Sequence, residues 1–245
     1  MLNQSILDKL ATVDSPSIAN IIELFDIRSK VAGYTNDTIK AIYPDLPPVV
    51  GYAATATYRG GHPTPKKDGY GGLARVIATG KEVGSPQIAV IQDLDDPILA
   101  AVFGEVMVSG FRSSGYEALI TNGAGRDYMQ VKHLNFPCFA SSLIVSHGYC
   151  NILDSGVTVM IGGLEIRPGD LLHADANGVV NVPVDIADLV AEMIDPFMAA
   201  EQIALDIINR PKATFEMINE ACVEMIAQVA ECSIEAKALL AKRTA

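Results

Sequence analysis

Glu117-Ala118-Leu119-Ile120-Thr121-Asn122-Gly123-Ala124-Gly125-Arg126-Asp127 sets an apolar run directly against a glycine-rich turn and a guanidinium–carboxylate pair. The run from Glu117 to Thr121 reads as a buried strand, and the turn places Arg126 and Asp127 at its carboxyl end, where open α/β sheets commonly carry their chemistry. Upstream, Glu105 begins a stretch to Ser114 in which Val106, Met107 and Phe111 fall at helical spacing. Twenty residues separate Glu105 from Arg126. A helix start and a strand end at that spacing can set two carboxylates and one guanidinium around one small site, which suits a metal ion and an oxyanion.

Working outward, Val49 to Tyr58 and Ile88 to Gln92 read as strands, the second ending in Asp93-Leu94-Asp95-Asp96-Pro97. Between them, Arg59 to Gly72 is too rich in Gly and Pro for regular structure and reads as a long loop. Beyond the Arg126 turn lie strand candidates at Val157 to Ile161, Leu164 to Ile166, Leu171 to Ala174 and Val179 to Val182, separated by Gly-Gly, Pro-Gly-Asp and Asn-Gly turns. The first thirty residues read as helix, with a cap-and-proline start at Asp14-Ser15-Pro16-Ser17 and Ile18, Ile21, Ile22 and Phe25 on one face. Ile186 to Asn209 and Ala213 to Lys242 are again helical, broken at Pro211. Periodicity thus predicts an α/β protein with helical ends.

The chain has 245 residues, 49% of them hydrophobic, and a mean hydropathy of +0.26, ample for a packed core. Its 18 basic and 29 acidic residues give a net charge of −11, which argues against nucleic acid or an anionic membrane as partner, since both need a basic footprint. The acidity also suits a site that draws in a divalent cation, although an ordinary solvated surface accounts for it better. Cys138, Cys150, Cys222 and Cys232 have neither zinc nor redox spacing. With no leader-like start and no run of eighteen apolar residues, the expectation is a cytoplasmic, reduced setting.

Four ordered segments carry a resemblance. The spacing of an acid, twenty residues, then Arg-Asp is the marker of the RraA-like family, that of the regulator of ribonuclease activity A and the 4-hydroxy-4-methyl-2-oxoglutarate/4-carboxy-4-hydroxy-2-oxoadipate aldolases. Val102-Phe103-Gly104-Glu105 resembles its Gly-Glu helix start and Phe136-Pro137-Cys138-Phe139-Ala140 its Phe-Pro-Val-Phe-Ala strand. Arg167-Pro168-Gly169-Asp170, followed by Ala174-Asp175-Ala176-Asn177-Gly178-Val179-Val180, resembles its Pro-Gly-Asp and Ala-Asp-x-x-Gly-Val segments. The likeness covers roughly residues 50 to 205. It implies a three-layer β/β/α sandwich of the swivelling phosphohistidine-domain type, with a single domain over residues 1–245 and C-terminal helices over 186–243. It also implies a homotrimer or dimer of trimers with sites between subunits. Four positions depart from the pattern: Gln130 stands where a further acid is usual, Ser141-Ser142 where Arg-Gly is usual, and Asn122 where Asp is common. They leave the choice of substrate open.

The resemblance implies Mg²⁺, with Mn²⁺ or Co²⁺ as alternatives, held directly by Asp127 and through water by Glu105 and by a glutamate of a neighbouring subunit. Glu201, in Ala199-Ala200-Glu201-Gln202, matches that last acid; it reads equally as a solvated helix charge. Such a sparse set agrees with the preference of Mg²⁺ for oxygen ligands and retained waters. Arg126 can hold a carboxylate or neutralise an enolate, or form an ordinary salt bridge with Asp127 or Glu117. A helix beginning at Gly104 offers backbone amides at Glu105, Val106 and Met107 to a carboxylate.

These parts suit retro-aldol cleavage of a small 2-keto acid, or decarboxylation of oxaloacetate, each leaving a pyruvate enolate. The metal acts as Lewis acid, and water held by Glu105 or Glu201 carries the proton. No apolar-flanked lysine in the matched segments suggests a Schiff base. The expected protein is a metal-dependent lyase and homo-oligomer acting on a 2-keto acid. The alternatives are a non-catalytic regulator that binds a ribonuclease or helicase, and a diverged enzyme with the same enolate chemistry. Gly123-Ala124-Gly125 is no dinucleotide fingerprint, because the third glycine position is Tyr128, and Gly80-Lys81 is no phosphate loop. Asp93, Asp95 and Asp96 could form an acidic site, but Asp96-Pro97 reads better as a helix cap. Of His62, His133, His147 and His173, none at ligand spacing, His133 lies nearest the Arg-Asp pair in sequence.

Overall fold

The computed structural model describes residues 2–63 and 71–244. In chain order, helices α1 (Gln4–Leu10) and α2 (Ser15–Leu24) precede β1 (Lys40–Ala41), β2 (Val49–Arg59), α3 (Gly71–Val83), β3 (Gln87–Asp93) and β4 (Ala101–Phe103). Then come α4 (Glu105–Ser113), β5 (Tyr116–Thr121), β6 (Ala124–Gly125), α5 (Tyr128–His133), β7 (Cys138–Ala140) and β8 (Ser142–Leu143). Strands β9 (Asn151–Ser155), β10 (Val159–Ile161), β11 (Leu164–Ile166), β12 (Leu171–Asp175) and β13 (Gly178–Val182) lead to α6 (Ala187–Glu192), α7 (Ile194–Ile208) and α8 (Phe215–Thr244). The described residues form two compact units, one of residues 31–184 and one of residues 2–30 with 185–244.

The first unit is built on a mixed sheet in the order β1-β7-β5-β3-β2-β12-β13. Strands β2, β3, β5 and β7 run parallel, and β1, β12 and β13 are antiparallel to their neighbours. Because β3 holds one edge of β2 from Tyr52 to Tyr58, β12 and β9 share the other, β12 pairing its start and β9 its end. Parallel strands covered on both faces carry near-continuous apolar runs, which is why Ile88-Ala89-Val90-Ile91 shows no polar alternation. The pleat nevertheless sorts the side chains. Ala54, Ala56, Tyr58, Ala89, Ile91 and Leu119 meet Val76 of α3 and Met107, Val108 and Phe111 of α4 on one face. Ala53, Ile88, Val90, Ala118 and Ile120 meet Val159, Ile161, Leu164 and Ile166 of the β10–β11 hairpin on the other. The mixed α/β expectation therefore holds, with helices on one side of the sheet and a small hairpin on the other. At the outer edge of β13, Tyr34 bridges to Val180, and the Thr35 and Asn181 N–H groups donate to Val179 O and Gly33 O.

The second unit is helical. The Asp14 carboxylate accepts the Ser17 N–H at 2.9 Å with Pro16 in the first turn, so α2 begins where the cap signal placed it. Helix does not run through the first thirty residues, however. It is divided, because the chain caps at Ala11 and must take an extended conformation at Asp14 to start again. Within this unit Lys9 pairs with Asp195, Arg243 with Asp188, and the Ser233 hydroxyl donates to Leu24 O. The two ion pairs are partly exposed and contribute little each. Pro211 separates α7 from α8 as read. No helix among the described residues is long and apolar enough to cross a membrane.

Two local expectations fail. Residues 64–70 of the glycine-rich stretch lie outside the described residues, but Gly71 and Gly72 open α3 rather than ending a loop. A side chain at Gly72 would run into Ile152 of β9, so this glycine answers to close packing and not to chain reversal. Asp96-Pro97 caps no helix; the peptide between them is cis and the chain continues irregularly into β4. The acids there hold loops instead. Asp95 Oδ2 accepts the Gly60 and Gly61 N–H groups at 2.7 and 2.6 Å, and its other oxygen lies 3.4 Å from Arg59 Nε.

Asp93 is 3% exposed and its Oδ2 has no hydrogen-bond partner. Burial pushes its pKa up to about 6; the Asp95 N–H and Arg59 oppose the rise and the Asp95 charge adds to it. A carboxyl whose folded pKa exceeds the unfolded value contributes stability below about pH 4 and loses it as pH rises through about 6. Asp93→Asn should therefore exceed the parent by ~1–3 kcal/mol at pH 7.5 and show a flatter pH dependence in urea melts between pH 5 and 7.5. Parallel profiles for the two proteins would remove Asp93 from the account.

Candidate active site

A three-stranded parallel sheet, β4-β6-β8, builds the site. Phe103 of β4 stands opposite Gly125 of β6, and the Arg126 N–H donates to Phe103 O at 3.0 Å. These partners are 22 positions apart (125 − 103), the same interval as between Glu105 and Asp127 (127 − 105). The acid, the twenty-residue gap and the Arg-Asp pair are thus the imprint of one strand register. Beyond the paired residues both chains start helices, α4 at Glu105 and α5 at Tyr128.

Asp127 is the N-cap of α5 in the left-handed region (φ 56°, ψ 44°), a conformation Asp tolerates better than most residues. Its side chain makes no capping bond to its own helix. Instead Oδ2 accepts the Glu105 N–H at 3.0 Å, so Asp127 caps α4 from outside. The helix needs this, because its own N-cap, Gly104, has no side chain to offer. Gly104 in turn leaves the room. Its φ of −154° is open to any residue, but a Cβ there would lie 2.5 Å from Asp127 Oδ2 and 3.0 Å from Arg126 Nε. Of the three amides expected to face a ligand, that of Glu105 is therefore already taken. Those of Val106 and Met107, in the first turn, have no intrahelical partner.

Arg126 Nε is 3.6 Å from Asp127 Oδ2, too long for a hydrogen bond. Among the described residues this is its one ion pair, so Glu117 is not its partner and the guanidinium faces two hollows. One, of about 20 Å³, room for roughly one water, is lined by Phe103, Gly104, Val106, Met107, His147 and Cys150 with Arg126. The other, a shallow groove of about 330 Å³, has Asp127, Tyr128, Leu143, Ile144 and Val145 around Arg126. Burial pushes the Cys150 thiol up while Arg126 opposes the shift. The Tyr43 hydroxyl donates to Tyr128 O at 2.7 Å and the two rings meet 5.2 Å apart, fixing the start of α5.

The histidine in the site is His147; His133 ends α5 and lies outside both hollows. Sequence reasoning missed His147 because the loop that carries it to the site has no periodic signal. Asn122 has a structural reason of its own. Its amide accepts the Asp93 N–H at 2.7 Å and donates to Asp93 O at 2.9 Å, and an Asp could not do both. Gln130 is exposed on α5.

Glu201 belongs to α7 in the helical unit, where it lines a groove with Asn20, Glu23 and Lys30. Partial burial, then the Asp14 charge, pushes its pKa up. Among the described residues no three His, Cys, Asp or Glu side chains converge as a metal cage. Two carboxylates on neighbouring chain ends, with Asp127 Oδ1 clear of protein hydrogen bonds, nevertheless fit a hard divalent cation that retains most of its waters.

A mixed α/β chain with this Arg-Asp site defines an RraA-like protein, and the family profile described as Aldolase/RraA matches residues 18–181. The chain belongs to that family. A Halalkalibacterium halodurans protein that carries the provisional name 4-hydroxy-4-methyl-2-oxoglutarate aldolase is 32% identical over 100 residues, 40% of this chain and 48% of that protein. The chain thus spans about half the length of this curated relative, or less for others. An uncharacterized protein of Pseudomonas syringae pv. tomato superposes with a TM-score of 0.71 at 23% identity, over 89% of this chain and 94% of the other. Streptomyces coelicolor RraAS2, described as an unusual member of the RNase ES inhibitor RraA family, gives 0.65 at 23% identity over 85% and 98%. These two likenesses concern the fold.

Because Asp127 closes the first turn of α4, Asp127→Ala should cost ~1 kcal/mol in a denaturant melt, whereas Asp127→Asn, which keeps an acceptor oxygen, should cost a few tenths. Equal losses in both variants would show that the cap is not what Asp127 contributes to stability.

Proposed function

We propose that the chain is a divalent-metal-dependent lyase that cleaves or decarboxylates a small 2-keto acid bearing a second carboxylate, through a pyruvate enolate. The observation that carries the reading is the Phe103–Gly125 register, which sets Glu105, Arg126 and Asp127 together at the start of α4. The provisional aldolase name of the Halalkalibacterium halodurans relative supports it.

In this reading the N–H groups of Val106 and Met107 receive the keto-acid carboxylate, helped by the positive end of α4. Arg126, free of a short ion pair, takes up the charge that develops on the enolate oxygen. Asp127 Oδ1 would hold the cation directly, Glu105 would hold it through water, and Glu201 from a second copy would complete the set. When bound, the cation supplies Lewis-acid polarisation of the 2-keto group. Sharing the site between copies requires a homo-oligomer, for which the family resemblance implies a homotrimer or dimer of trimers.

The test is pyruvate release from oxaloacetate and from 4-hydroxy-4-methyl-2-oxoglutarate, with Mg²⁺ and with chelator. Chelator-sensitive turnover is expected, with kcat/KM reduced roughly 10²–10³-fold in Arg126→Ala. No turnover above the free-metal background on either substrate would sink the reading and favour a protein-binding role.

A further inference from the structure

Cleaving an aldol requires something that decarboxylation does not. The proton of the 4-hydroxyl must leave as the C3–C4 bond breaks. Among the groups around the small hollow, Arg126 carries no basic lone pair at neutral pH and burial holds the Cys150 thiol protonated. Asp127 and Glu105 are assigned above to the cation, and neither Glu105 nor Glu201, expected from the sequence to hold a proton-carrying water, lines this hollow. His147 remains.

Its ring is oriented. His147 Nδ1 lies 2.7 Å from Gly148 O, and a carbonyl can only accept, so Nδ1 carries a proton and, in the neutral ring, Nε2 presents its lone pair. The segment bearing it is fixed from several sides. Ile144 N–H donates to Gly125 O at 2.9 Å, Ala101 N–H to Ser146 O at 2.7 Å and Tyr149 N–H to Gly60 O at 2.9 Å. Gly148 N–H donates to Ser146 Oγ at 3.1 Å, and the Tyr58 hydroxyl, bonded to Ala101 O at 2.8 Å, also reaches His147 O at 3.4 Å. Gly148 has φ +52°, and a side chain there would strike the Gly60 carbonyl. An imidazole so held, itself exposed, lines with Arg126 and the α4 start a hollow with room for roughly one water, and so borders any ligand that lies across its mouth against Arg126.

We propose that His147 is the catalytic base for carbon–carbon cleavage, an inference that rests on the lyase reading above. Nε2 takes the 4-hydroxyl proton, the O–H electron pair becomes the new C4 carbonyl, the C3–C4 bond breaks, and its electron pair passes into the enolate of the departing pyruvate. Return of the proton from Nε2 to C3 gives pyruvate and the second 2-oxo acid, with nothing oxidised or reduced. Oxaloacetate loses CO₂ to the same enolate with no hydroxyl proton to remove.

The two substrates therefore separate the roles. In His147→Gln and His147→Ala, the ratio of 4-hydroxy-4-methyl-2-oxoglutarate cleavage to oxaloacetate decarboxylation should fall about 10²–10³-fold, in kcat more than in KM. Added imidazole should restore cleavage in His147→Ala. Residual decarboxylation reports that the variants are folded. An unchanged ratio, or a ratio unaltered while both rates drop, would overturn the assignment of His147 and leave the lyase reading standing. Absence of both activities in the parent protein would instead remove the lyase reading and this inference with it.

Discussion

The site depends on one pairing, Phe103 against Gly125, in a sheet of three very short strands. Short parallel strands are weak alone, and these are held by what surrounds them: Ser141 N–H on Gly123 O, Ile144 N–H on Gly125 O, and Phe103 buried at 2% exposure against the ring-sized space that Gly125 leaves. A slip of one residue would turn every side chain to the opposite face. It would carry Glu105 and Asp127 apart and leave α4 without its cap. The glycines at 104 and 125 are thus requirements of contact at the point where two chain ends approach.

In the proposed lyase, Asp127 would join stability and chemistry in one side chain. One carboxylate oxygen closes a helix and, among the described residues, the other stays clear of protein donors. The left-handed backbone at this residue turns its side chain from its own helix toward the neighbouring one.

Much of this was legible in the amino-acid order. The buried strands announced themselves as uninterrupted apolar runs, the caps of α2 and the break at Pro211 as local signals, and the Glu105–Arg126–Asp127 set by its interval. What escaped detection lacked periodicity or depended on long-range contact. Helix α3 begins at two glycines because Ile152, eighty positions on (152 − 72), leaves no room for a side chain. Strands β4, β6 and β8 are two or three residues long, too short for any pattern. His147 lies twenty-one positions beyond Arg126 (147 − 126), and what brings it back is backbone bonding to Gly60, Ala101 and Gly125. Asp96-Pro97 has the composition of a cap, but the acid beside it, Asp95, is drawn to the Gly60 and Gly61 amides, and no helix follows.

The large sheet ends bluntly on both sides. At one end β1 is only two residues long; at the other the Gly33–Thr35 segment lies along β13 and takes up its outward-facing backbone groups. Among the described residues these two ends offer little unpaired ladder onto which a second chain could be stitched, and the remaining edge strand is the five-residue β9. At these two ends, copies that associate would meet through side chains rather than by continuing the sheet. Such contacts can be tuned residue by residue.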